Sequence, residues 1–426
     1  MTIEAQARAA RRAAPLIASA SSTTKSGALM RMADALQARA AAILDANAAD
    51  VEEARAAVER GDLGAAFVDR LLLDEGRLEA MAGAVREVAA ADDPIGREDE
   101  SWLRPNGLRV SRRRIPLGVV GIIYEARPNV TSDAAALCLK AGNAVVLKGG
   151  SDALRSNRAV VEALRAGLAA GGIDPAVLQF IDSADRESIL ALLSQEESVD
   201  LIIPRGGEGL VRFVSAHSRI PVIKHYKGVC HVYLDATADA DKAVSIVING
   251  KVQRPSVCNA IETVLVHRSR AEDLLPAVAE GLMGHGVRLH LDERALAALK
   301  GRGLFDPALC VPATEEDFFA EYLSLDVAVA VVDDLDAAIG HIQTYGSDHT
   351  EAIVTESVGQ AEAFLSRVNS SVVLVNASTR FADGGQLGLG AEIGISTTKL
   401  HAFGPMGLRE LTTTKFVIRG DGQIRG

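Results

Sequence analysis

The sequence predicts an α/β protein built on doubly wound parallel sheets, and three observations lead to that prediction. Residues 3–92 are Ala-rich and place Leu, Ile and Val three and four residues apart, a spacing typical of amphipathic helices. From residue 118, and again from about residue 230, short apolar runs alternate with helical segments. Apolar strands separated by helices are typical of parallel sheets that are buried on both faces.

The elements follow from these patterns in chain order. Residues 99–116 contain two short alternating runs around Pro105, Asn106 and Gly107, which predicts a β-hairpin. Residues 132–142 are predicted to form a crossover helix, and residues 239–250 another. The predicted strands lie at 118–124, 144–150, 176–181, 199–204, 221–226, 229–235, 262–267, 326–334, 350–355, 371–378 and 411–420. The last of these has few later partners, so we expect it to pair with another part of the fold or with another subunit.

Composition excludes several classes of protein. The chain has 426 residues and a formal net charge of -11, which argues against non-specific nucleic-acid binding because that depends on a basic face. The one dense basic cluster, residues 111–116, is interpreted as a surface or subunit contact. No stretch approaches the roughly 18 apolar residues that span a bilayer, and the N-terminus has no signal-peptide core. We therefore expect no membrane partner.

The four cysteines are widely spaced and form no CxxC pair, which argues against a disulfide scaffold or a structural zinc site and favours a reducing cytoplasm. No histidine shows metal-ligand spacing, so no metal is expected. Cys258 stands out because it lies in a turn, Arg254 to Ala260, between a predicted helix and a predicted strand. Local sequence leaves two interpretations open, a thiolate nucleophile or a buried structural cysteine.

Glycine-rich turns supply the other candidate sites. Lys148, Gly149 and Gly150 end one predicted strand, and Gly206 and Gly207 follow another, each turn opening a helix. Such turns present free N–H groups to phosphate, although strand-to-helix turns also use glycine for ordinary steric reasons. The glycine-rich loop 386–397 allows close approach of a small ligand, and a purely structural role remains open for it.

Four long segments, residues 116–153, 252–267, 338–355 and 381–411, resemble the aldehyde dehydrogenase superfamily, and within it the branch that reduces an acyl phosphate. The resemblance runs from the first helices to the terminal strand. It implies that Cys258 is the nucleophile and that the Asn129 amide, with the Cys258 backbone N–H, forms the oxyanion hole. It also implies that Lys148 contacts the adenine ribose, that Gly206 and Gly207 adjoin the pyrophosphate, and that Glu321 holds the nicotinamide ribose.

Two departures from the pattern refine the expectation. Many oxidising relatives carry a carboxylate that activates water, and the corresponding residue here is His225, so hydrolysis of a thioester is not expected. Many NAD-using relatives carry a carboxylate after the cofactor lysine, and here the residue is Ser151. Ser151 with Lys148 suits the 2′-phosphate of NADPH, although the adjacent Asp152 opposes it.

The implied reaction is the NADPH-dependent reduction of L-glutamate 5-phosphate to L-glutamate 5-semialdehyde and phosphate through a Cys thioester, the second step of proline biosynthesis. Candidate substrate anchors are Glu392 for the ammonium, Ser396 and Thr397 for polar contacts, and Arg127 or Arg380 for anionic oxygens. The alternatives are oxidation of an aldehyde to the free acid with NAD(P), a cysteine acyltransferase or hydrolase without nicotinamide, and an inert scaffold.

The resemblance also implies an aldehyde-dehydrogenase-like arrangement of three parts. A doubly wound NADPH-binding domain is expected from residues 1–98 and 117–225, and an α/β catalytic domain from 226–398. A small β oligomerisation element is expected from 99–116 and 399–426. The protein is expected to be a homo-oligomer. Because no kinase-like segment precedes residue 1, the acyl phosphate is expected from a separate glutamate kinase, with which a transient contact is expected.

Overall fold

The structure, a computed structural model, describes residues 1–425. The α-helices are α1 (Ile3–Ser19), α2 (Ser22–Ala38), α3 (Ala40–Glu59), α4 (Ala65–Leu71), α5 (Glu75–Ala90), α6 (Pro128–Lys140), α7 (Leu154–Ala170), α8 (Glu187–Leu193), α9 (Glu208–His217), α10 (Ala240–Val252), α11 (Leu274–Gly284), α12 (Glu293–Gly301), α13 (Glu315–Phe318), α14 (Leu335–Tyr345) and α15 (Val358–Arg367). Short 3₁₀ turns lie at Ser151–Ala153, Pro175–Val177, Arg268–Arg270 and Thr379–Phe381.

The strands are β1 (Glu98–Leu103), β2 (Arg109–Pro116), β3 (Val119–Tyr124), β4 (Ala144–Lys148), β5 (Leu178–Phe180), β6 (Leu201–Arg205), β7 (Cys230–Leu234), β8 (Ile261–His267), β9 (Arg288–Leu291), β10 (Cys310–Pro312), β11 (Asp326–Val332), β12 (Thr350–Val354), β13 (Val372–Val375), β14 (Gly394–Ser396), β15 (Gly404–Met406) and β16 (Thr412–Arg419). β14 and β15 form a two-stranded sheet.

The chain folds into two compact units. The first contains Met1–Lys224, Gly388–Gly394 and Met406–Gly426, and the second contains His225–Leu387 and Ile395–Pro405. The three functional domains expected from the sequence remain a prediction, because a division into compact units does not assign a function to either. No helix within residues 1–425 has the length and hydropathy needed to cross a bilayer.

The first unit is built on a four-stranded parallel sheet in the order β5-β4-β3-β6. Every residue of β3 and β4 is buried, because helices cover both faces of the sheet as the continuous apolar runs predicted. α2 packs against α5 and α7 through apolar residues at helical spacing, among them Ala28, Leu29, Met32 and Leu36. The parallel sheet expected for this part of the sequence is confirmed.

One predicted strand of this series is wrong. Residues 221–226 contribute only an isolated bridge, between Val222 and Ile202. The ladder is limited to two backbone hydrogen bonds, Ile202 N–H to the Pro221 carbonyl and Ile223 N–H to the Ile202 carbonyl. The residues that follow Lys224 belong to the second unit.

A separate antiparallel sheet in the order β1-β2-β16 belongs to the first unit, which confirms the hairpin and the partner of the terminal strand. The basic run of β2 is paired within this sheet. Arg113 lies 3.0 Å from Glu98, Arg114 lies 2.8 Å from Asp99, and Arg112 donates to Thr414 at 2.9 Å. The sheet also exposes Phe416 and Ile418 on β16.

The second unit contains a seven-stranded parallel sheet in the order β10-β9-β11-β8-β7-β12-β13. Strands β7, β8, β11, β12 and β13 lie where the apolar runs predicted them. β9 and β10 were not predicted, because β9 alternates polar Arg288 and His290 with leucines and β10 has only three residues. These two short strands occupy one edge of the sheet.

A buried polar contact fixes the start of α7, which follows the first glycine-rich turn. On α3, Asn47 accepts from the Leu73 N–H at 2.7 Å and donates to the Leu71 carbonyl at 2.9 Å and to Ser156 Oγ at 3.1 Å. Asp50, also on α3, accepts from both the N–H and the hydroxyl of Ser156. The first turn of α7, which directly follows Ser151–Ala153, is therefore tied to α3.

We expect Asn47→Ala to destabilise the first unit by about 2–3 kcal/mol, because it leaves the buried Leu73 N–H and Leu71 carbonyl without partners. Urea unfolding followed by circular dichroism measures the change. Glu52→Ala on the exposed side of α3 is the control and is expected to change the free energy of unfolding by less than about 0.5 kcal/mol. Equal effects of the two substitutions would contradict the role given to Asn47.

Candidate functional site

A pocket in the first unit lies at the carboxyl ends of its parallel strands, where open α/β sheets bind ligands. Lys148 at the end of β4 and the following Gly149, Gly150, Ser151 and Asp152 form one wall. The other lining residues come from the end of β3 and the residue after it, from the segment after β5 together with α8, and from α4 and α9. They are Ile123, Tyr124, Glu125, Ala184, Asp185, Arg186, Ile189, Phe67 and Leu210. The structure thus brings together the residues of the first glycine-rich turn that the sequence singled out.

Lys148 is almost fully buried, and its Nζ donates to the Gly149 carbonyl at 2.7 Å. Burial lowers the pKa of Lys148, and the Asp185 carboxylate opposes that effect. A Cβ at Gly149 would lie 2.2 Å from the Asn157 amide nitrogen, so this turn accepts only glycine without rearrangement. Ser151 begins the 3₁₀ turn and is exposed, as is Asp152.

In the described part of the chain, some of the arginines around this pocket form ion pairs with carboxylates, and one does not. Arg155 and Arg158, which follow the turn in sequence, are held by carboxylates: Arg155 lies 3.0 Å from both Asp50 and Glu53, and Arg158 lies 2.7 Å from Asp182. Arg186 is exposed at the pocket wall, and its guanidinium has no ion-pair partner within residues 1–425. Sequence reasoning missed Arg186 because it lies in an irregular segment, away from any glycine-rich turn.

The second glycine-rich turn joins β6 to α9. The Gly207 N–H, at the N-cap of α9, donates to Glu125 Oε2 at 3.0 Å. A Cβ at Gly206 would lie 2.6 Å from the Glu125 carboxyl carbon, so the carboxylate rests directly on this turn. A helix N-terminus favours negative charge, and here an anionic side chain of the same unit already shows that preference. The sequence contained Glu125, but nothing in its spacing linked it to residue 207.

Asn129 and Arg127 lie at the start of α6 in the first unit, where Arg127 is the N-cap. The Asn129 amide nitrogen donates to Asp133 Oδ2 at 3.0 Å, one helical turn further on. Burial raises the pKa of Asp133 to about 6, against the hydrogen bonds from Asn129 and Ser132. This contact orients the Asn129 side chain and leaves its second amide hydrogen available.

Cys258 lies in the second unit, in the turn between α10 and β8, and is half-buried. The other three cysteines, Cys138, Cys230 and Cys310, are buried, and none of the four is in a disulfide. The Cys258 carbonyl accepts from Cys230 Sγ at 3.2 Å. Among the cysteines of residues 1–425, Cys258 is therefore the one placed to react with a solute.

The backbone of Gly228 presses against Cys258. A Cβ at Gly228 would lie 2.0 Å from the Cys258 carbonyl oxygen and 2.8 Å from its Cα. The Gly228 N–H donates to Glu321 Oε1 at 2.9 Å. The structure thus links Glu321, a predicted cofactor residue, to the Cys258 turn through a residue that sequence reasoning did not select.

Arg380 braces the same turn from its two ends. Its Nε donates to Gln253 Oε1 at 2.7 Å, and its Nη1 donates to Asn259 Oδ1. Asn259 in turn donates to the Ala382 carbonyl at 3.0 Å. Burial lowers the pKa of Arg380, whereas Asp383 and Cys258 act in the opposite direction. Among the five predicted substrate anchors, Arg380 is the one the structure places beside the Cys258 turn within one unit.

The other candidate anchors are divided between the units. Glu392 belongs to the first unit with Arg127, whereas Ser396 and Thr397 belong to the second with Arg380. Ser396 is fully buried, and its hydroxyl accepts from the Thr398 N–H at 3.0 Å. That hydrogen bond stabilises the local turn. A substrate that bound Ser396 Oγ would have to do so while this oxygen also accepts from the Thr398 N–H.

The histidines of the second unit do not form a metal site. Within residues 1–425, no cluster of three or more His, Cys, Asp or Glu side chains has a metal-binding arrangement. His225 contacts His349, with ring centroids 6.0 Å apart. Burial lowers the pKa of His349 to about 3, and its Nδ1 lies 2.8 Å from Thr350 Oγ1. His349 is therefore a neutral core residue.

We expect Gly228→Ala to slow alkylation of Cys258 by iodoacetamide at least tenfold, because the added methyl group must push the Cys258 carbonyl aside. Mass spectrometry of the Cys258 peptide over time measures the rate. Gly340→Ala, in α14 of the same unit with nothing within 4 Å of the added Cβ, is the control. It is expected to keep the wild-type rate and to stabilise the helix by about 0.5–1 kcal/mol. Wild-type reactivity in Gly228→Ala would contradict the close packing.

Comparison with known proteins agrees with this architecture. A family model described as the aldehyde dehydrogenase family matches residues 1–293. The chain is 57% identical over 423 residues to a gamma-glutamyl phosphate reductase of Geotalea daltonii, covering 99% of this chain and 98% of that protein. It is 52% identical over 425 residues to one of Xanthomonas campestris pv. campestris, with both chains covered completely.

A solved structure supports the same relationship. The crystal structure of a gamma-glutamyl phosphate reductase from Thermotoga maritima matches with a TM-score of 0.95 and 43% identity, each chain being covered completely. An acetylating aldehyde dehydrogenase from Geobacillus thermoglucosidasius, at 18% identity and a TM-score of 0.68, shares the fold; 100% of this chain and 97% of that one are covered. The chain belongs to the aldehyde dehydrogenase family.

Proposed function

We propose that this protein is a gamma-glutamyl phosphate reductase, which reduces L-glutamate 5-phosphate to L-glutamate 5-semialdehyde in proline biosynthesis. The observation that carries the proposal is Cys258: it is the half-buried cysteine of the chain, it lies in a turn braced by a cation, and relatives at 52–57% identity over nearly their full length bear that name. Members of the family use a nicotinamide cofactor, which the first unit is suited to hold.

The pocket of the first unit fits such a cofactor. Lys148 and Arg186 supply positive charge, and the α9 N-terminus supplies N–H groups where Glu125 now rests. We propose Lys148 and Ser151 for the adenine ribose, the turns at Gly149, Gly150, Gly206 and Gly207 for the phosphates, and Glu321 for the nicotinamide ribose. When bound, the reduced nicotinamide supplies the hydride.

The residues of the chain perform the remaining steps. The Cys258 thiolate attacks the acyl carbon of the substrate, and the developing oxyanion is stabilised by the Cys258 N–H and the Asn129 amide, which Asp133 orients. Phosphate leaves as the C–O bond breaks, giving a thioester on Cys258. After reduction, the thiohemiacetal on Cys258 collapses, the C–S bond breaks, and the aldehyde and the free thiolate are released. Phosphate is a good leaving group, so no strong general acid is needed.

The charge of Arg380 has two uses in this scheme. Beside the Cys258 turn it stabilises the thiolate, because a nearby cation lowers the free energy of the ionised form. It is also placed to attract the anionic oxygens of the substrate. Arg127, Glu392, Ser396 and Thr397 remain proposals for the other substrate contacts.

We expect phosphate-dependent reduction of NADP in the presence of glutamate semialdehyde, followed by absorbance of the reduced nicotinamide, and at least a 10⁴-fold loss of kcat in Cys258→Ala. Cys310→Ala, which removes a buried thiol of the same unit, is the control and is expected to retain activity. Wild-type activity without phosphate would assign the chain to oxidation of aldehydes to free acids. Phosphate-dependent activity that survives in Cys258→Ala would refute the assignment of the nucleophile.

We propose NADPH as the physiological cofactor, with Arg186 as the cation that meets its 2′-phosphate. Arg186→Ala is expected to raise the KM for NADPH about tenfold and to leave the KM for NADH within twofold, since one charge-assisted hydrogen bond contributes about 1.5 kcal/mol. Arg158→Ala, whose guanidinium is held by Asp182, is the matched control and should leave the ratio of the two KM values unchanged. Equal changes for both cofactors would contradict this role.

The exposed apolar residues of the antiparallel sheet suggest how the protein assembles. Phe416 and Ile418 project from β16, whose outer edge has no partner strand within residues 1–425. We propose that β1, β2 and β16 form the homo-oligomer contact.

The four cysteines without disulfides fit a reducing compartment such as the cytoplasm. The labile substrate fits a transient contact with the glutamate kinase that makes it.

A further inference from the structure

A buried ion pair flanks the Cys258 turn in the second unit. Lys251 lies in the last turn of α10 and Glu262 is the second residue of β8, so the pair encloses residues 253–260 in sequence. Lys251 Nζ lies 2.6 Å from Glu262 Oε2, and both side chains are 0% exposed. Burying two charges is expensive even when they are paired, so their other contacts indicate why the pair is there.

The first contact closes the base of the turn. Lys251 Nζ donates to the Ile261 carbonyl at 3.0 Å, which ties the end of α10 to the start of β8. The turn that carries Cys258 is therefore held at both ends by one ammonium group. Burial lowers the pKa of Lys251 and the Glu262 carboxylate raises it, so the charge of each partner depends on the other.

The second contact reaches the segment that carries Glu321. Glu262 Oε1 accepts a long hydrogen bond of 3.4 Å from the Leu323 N–H, and Lys251 Nζ lies 5.8 Å from the centre of the Tyr322 ring. Leu323 has a φ of 55°, a left-handed conformation that non-glycine residues rarely adopt and that needs support from its surroundings. The ion pair supplies contacts on the buried side of this strained backbone.

These contacts complete a ring. The ion pair joins the Cys258 turn to the segment that carries Glu321. Glu321 accepts from the Gly228 N–H at 2.9 Å, and Gly228 packs on the Cys258 carbonyl, so this series of contacts leads back to Cys258. We propose that Lys251 and Glu262 are positioning residues that hold the Cys258 turn and the Glu321 segment in one fixed arrangement. This inference rests on the proposed function, in which the thiolate and the residue that orients the nicotinamide must be held together.

The proposed role of Lys251 and Glu262 depends on the distance between the reacting atoms. Hydride transfer to a thioester requires the reacting atoms to be held close to contact distance, and a displacement of about 1 Å can lower the rate about 100-fold. Neither Lys251 nor Glu262 touches the reacting atoms in this scheme. Their effect is exerted through the turn and the segment that they join.

The test replaces both charges at once. Lys251→Met with Glu262→Leu leaves no unpaired buried charge, and apolar replacement of a buried pair is commonly neutral or stabilising. We expect a melting temperature close to wild type, a 10- to 100-fold lower kcat, and a KM for NADPH raised several-fold. The matched control is Lys25→Met with Asp93→Leu, which removes a largely buried pair of the same 2.6 Å length in the first unit and should retain kcat.

A second readout needs neither cofactor nor substrate. Alkylation of Cys258 by iodoacetamide is expected to change at least fivefold in the double variant and to stay at the wild-type rate in the control. If the wild type showed no phosphate-dependent activity, the proposed function would fail, and the alkylation rate alone would decide this proposal. A folded double variant that keeps both the wild-type kcat and the wild-type alkylation rate would overturn it.

If the double variant does not fold, Glu262→Gln takes its place, because the amide keeps the shape of the side chain and an acceptor for the Leu323 N–H. We then expect kcat to fall at least fivefold at a temperature where circular dichroism shows the native state. An unchanged kcat in the folded Glu262→Gln variant would overturn the proposal.

Discussion

The close approach of Gly228 to the Cys258 carbonyl is the constraint on which the Cys258 turn depends. It leaves no room for a side chain, so the segment before β7 and the turn before β8 meet backbone to backbone. Once they meet, the Gly228 N–H is aimed at Glu321, the Cys258 carbonyl is reached by Cys230, and the side chain of Cys258 is left half-buried. Reactivity at Cys258 thus depends on a residue that has no functional group.

Most strands of the two parallel sheets could be predicted from the sequence because they are apolar along most of their length. β3, β4 and β7 are buried at every position, and a strand buried on both faces has no polar alternation to confuse its assignment. The strand predictions failed where this apolar pattern was interrupted or ended early. β9 alternates charged and apolar residues, and residues 221–226 are apolar enough to suggest a strand but end where the chain leaves the first unit.

Some of the candidate site residues could likewise be selected from local sequence, and others could not. Cys258, Lys148 and the paired glycines could be selected because each lies in a turn next to an apolar strand, and the family resemblance gave them roles. Glu125 and Gly228 could not, because their importance comes from contacts with residues distant in sequence. Arg186 could not, because it lies in an irregular segment away from any glycine-rich turn. Glu125 meets Gly207 across 82 positions, a relationship that no local spacing encodes.

The pairing of β2 with β16 has a consequence for the order in which the protein folds during synthesis. Every residue of β2 is paired with a residue of Thr412–Arg419, and the Asn143 amide donates to the Leu411 carbonyl at 2.8 Å. The first unit therefore contains contacts that cannot form until Thr412–Arg419 has left the ribosome, and His225–Leu387 emerges before that. Most of the second unit therefore emerges while β2 still has one edge unpaired, and the nascent chain depends on that edge staying soluble. The arginines along β2 provide the charge that discourages premature pairing with another chain.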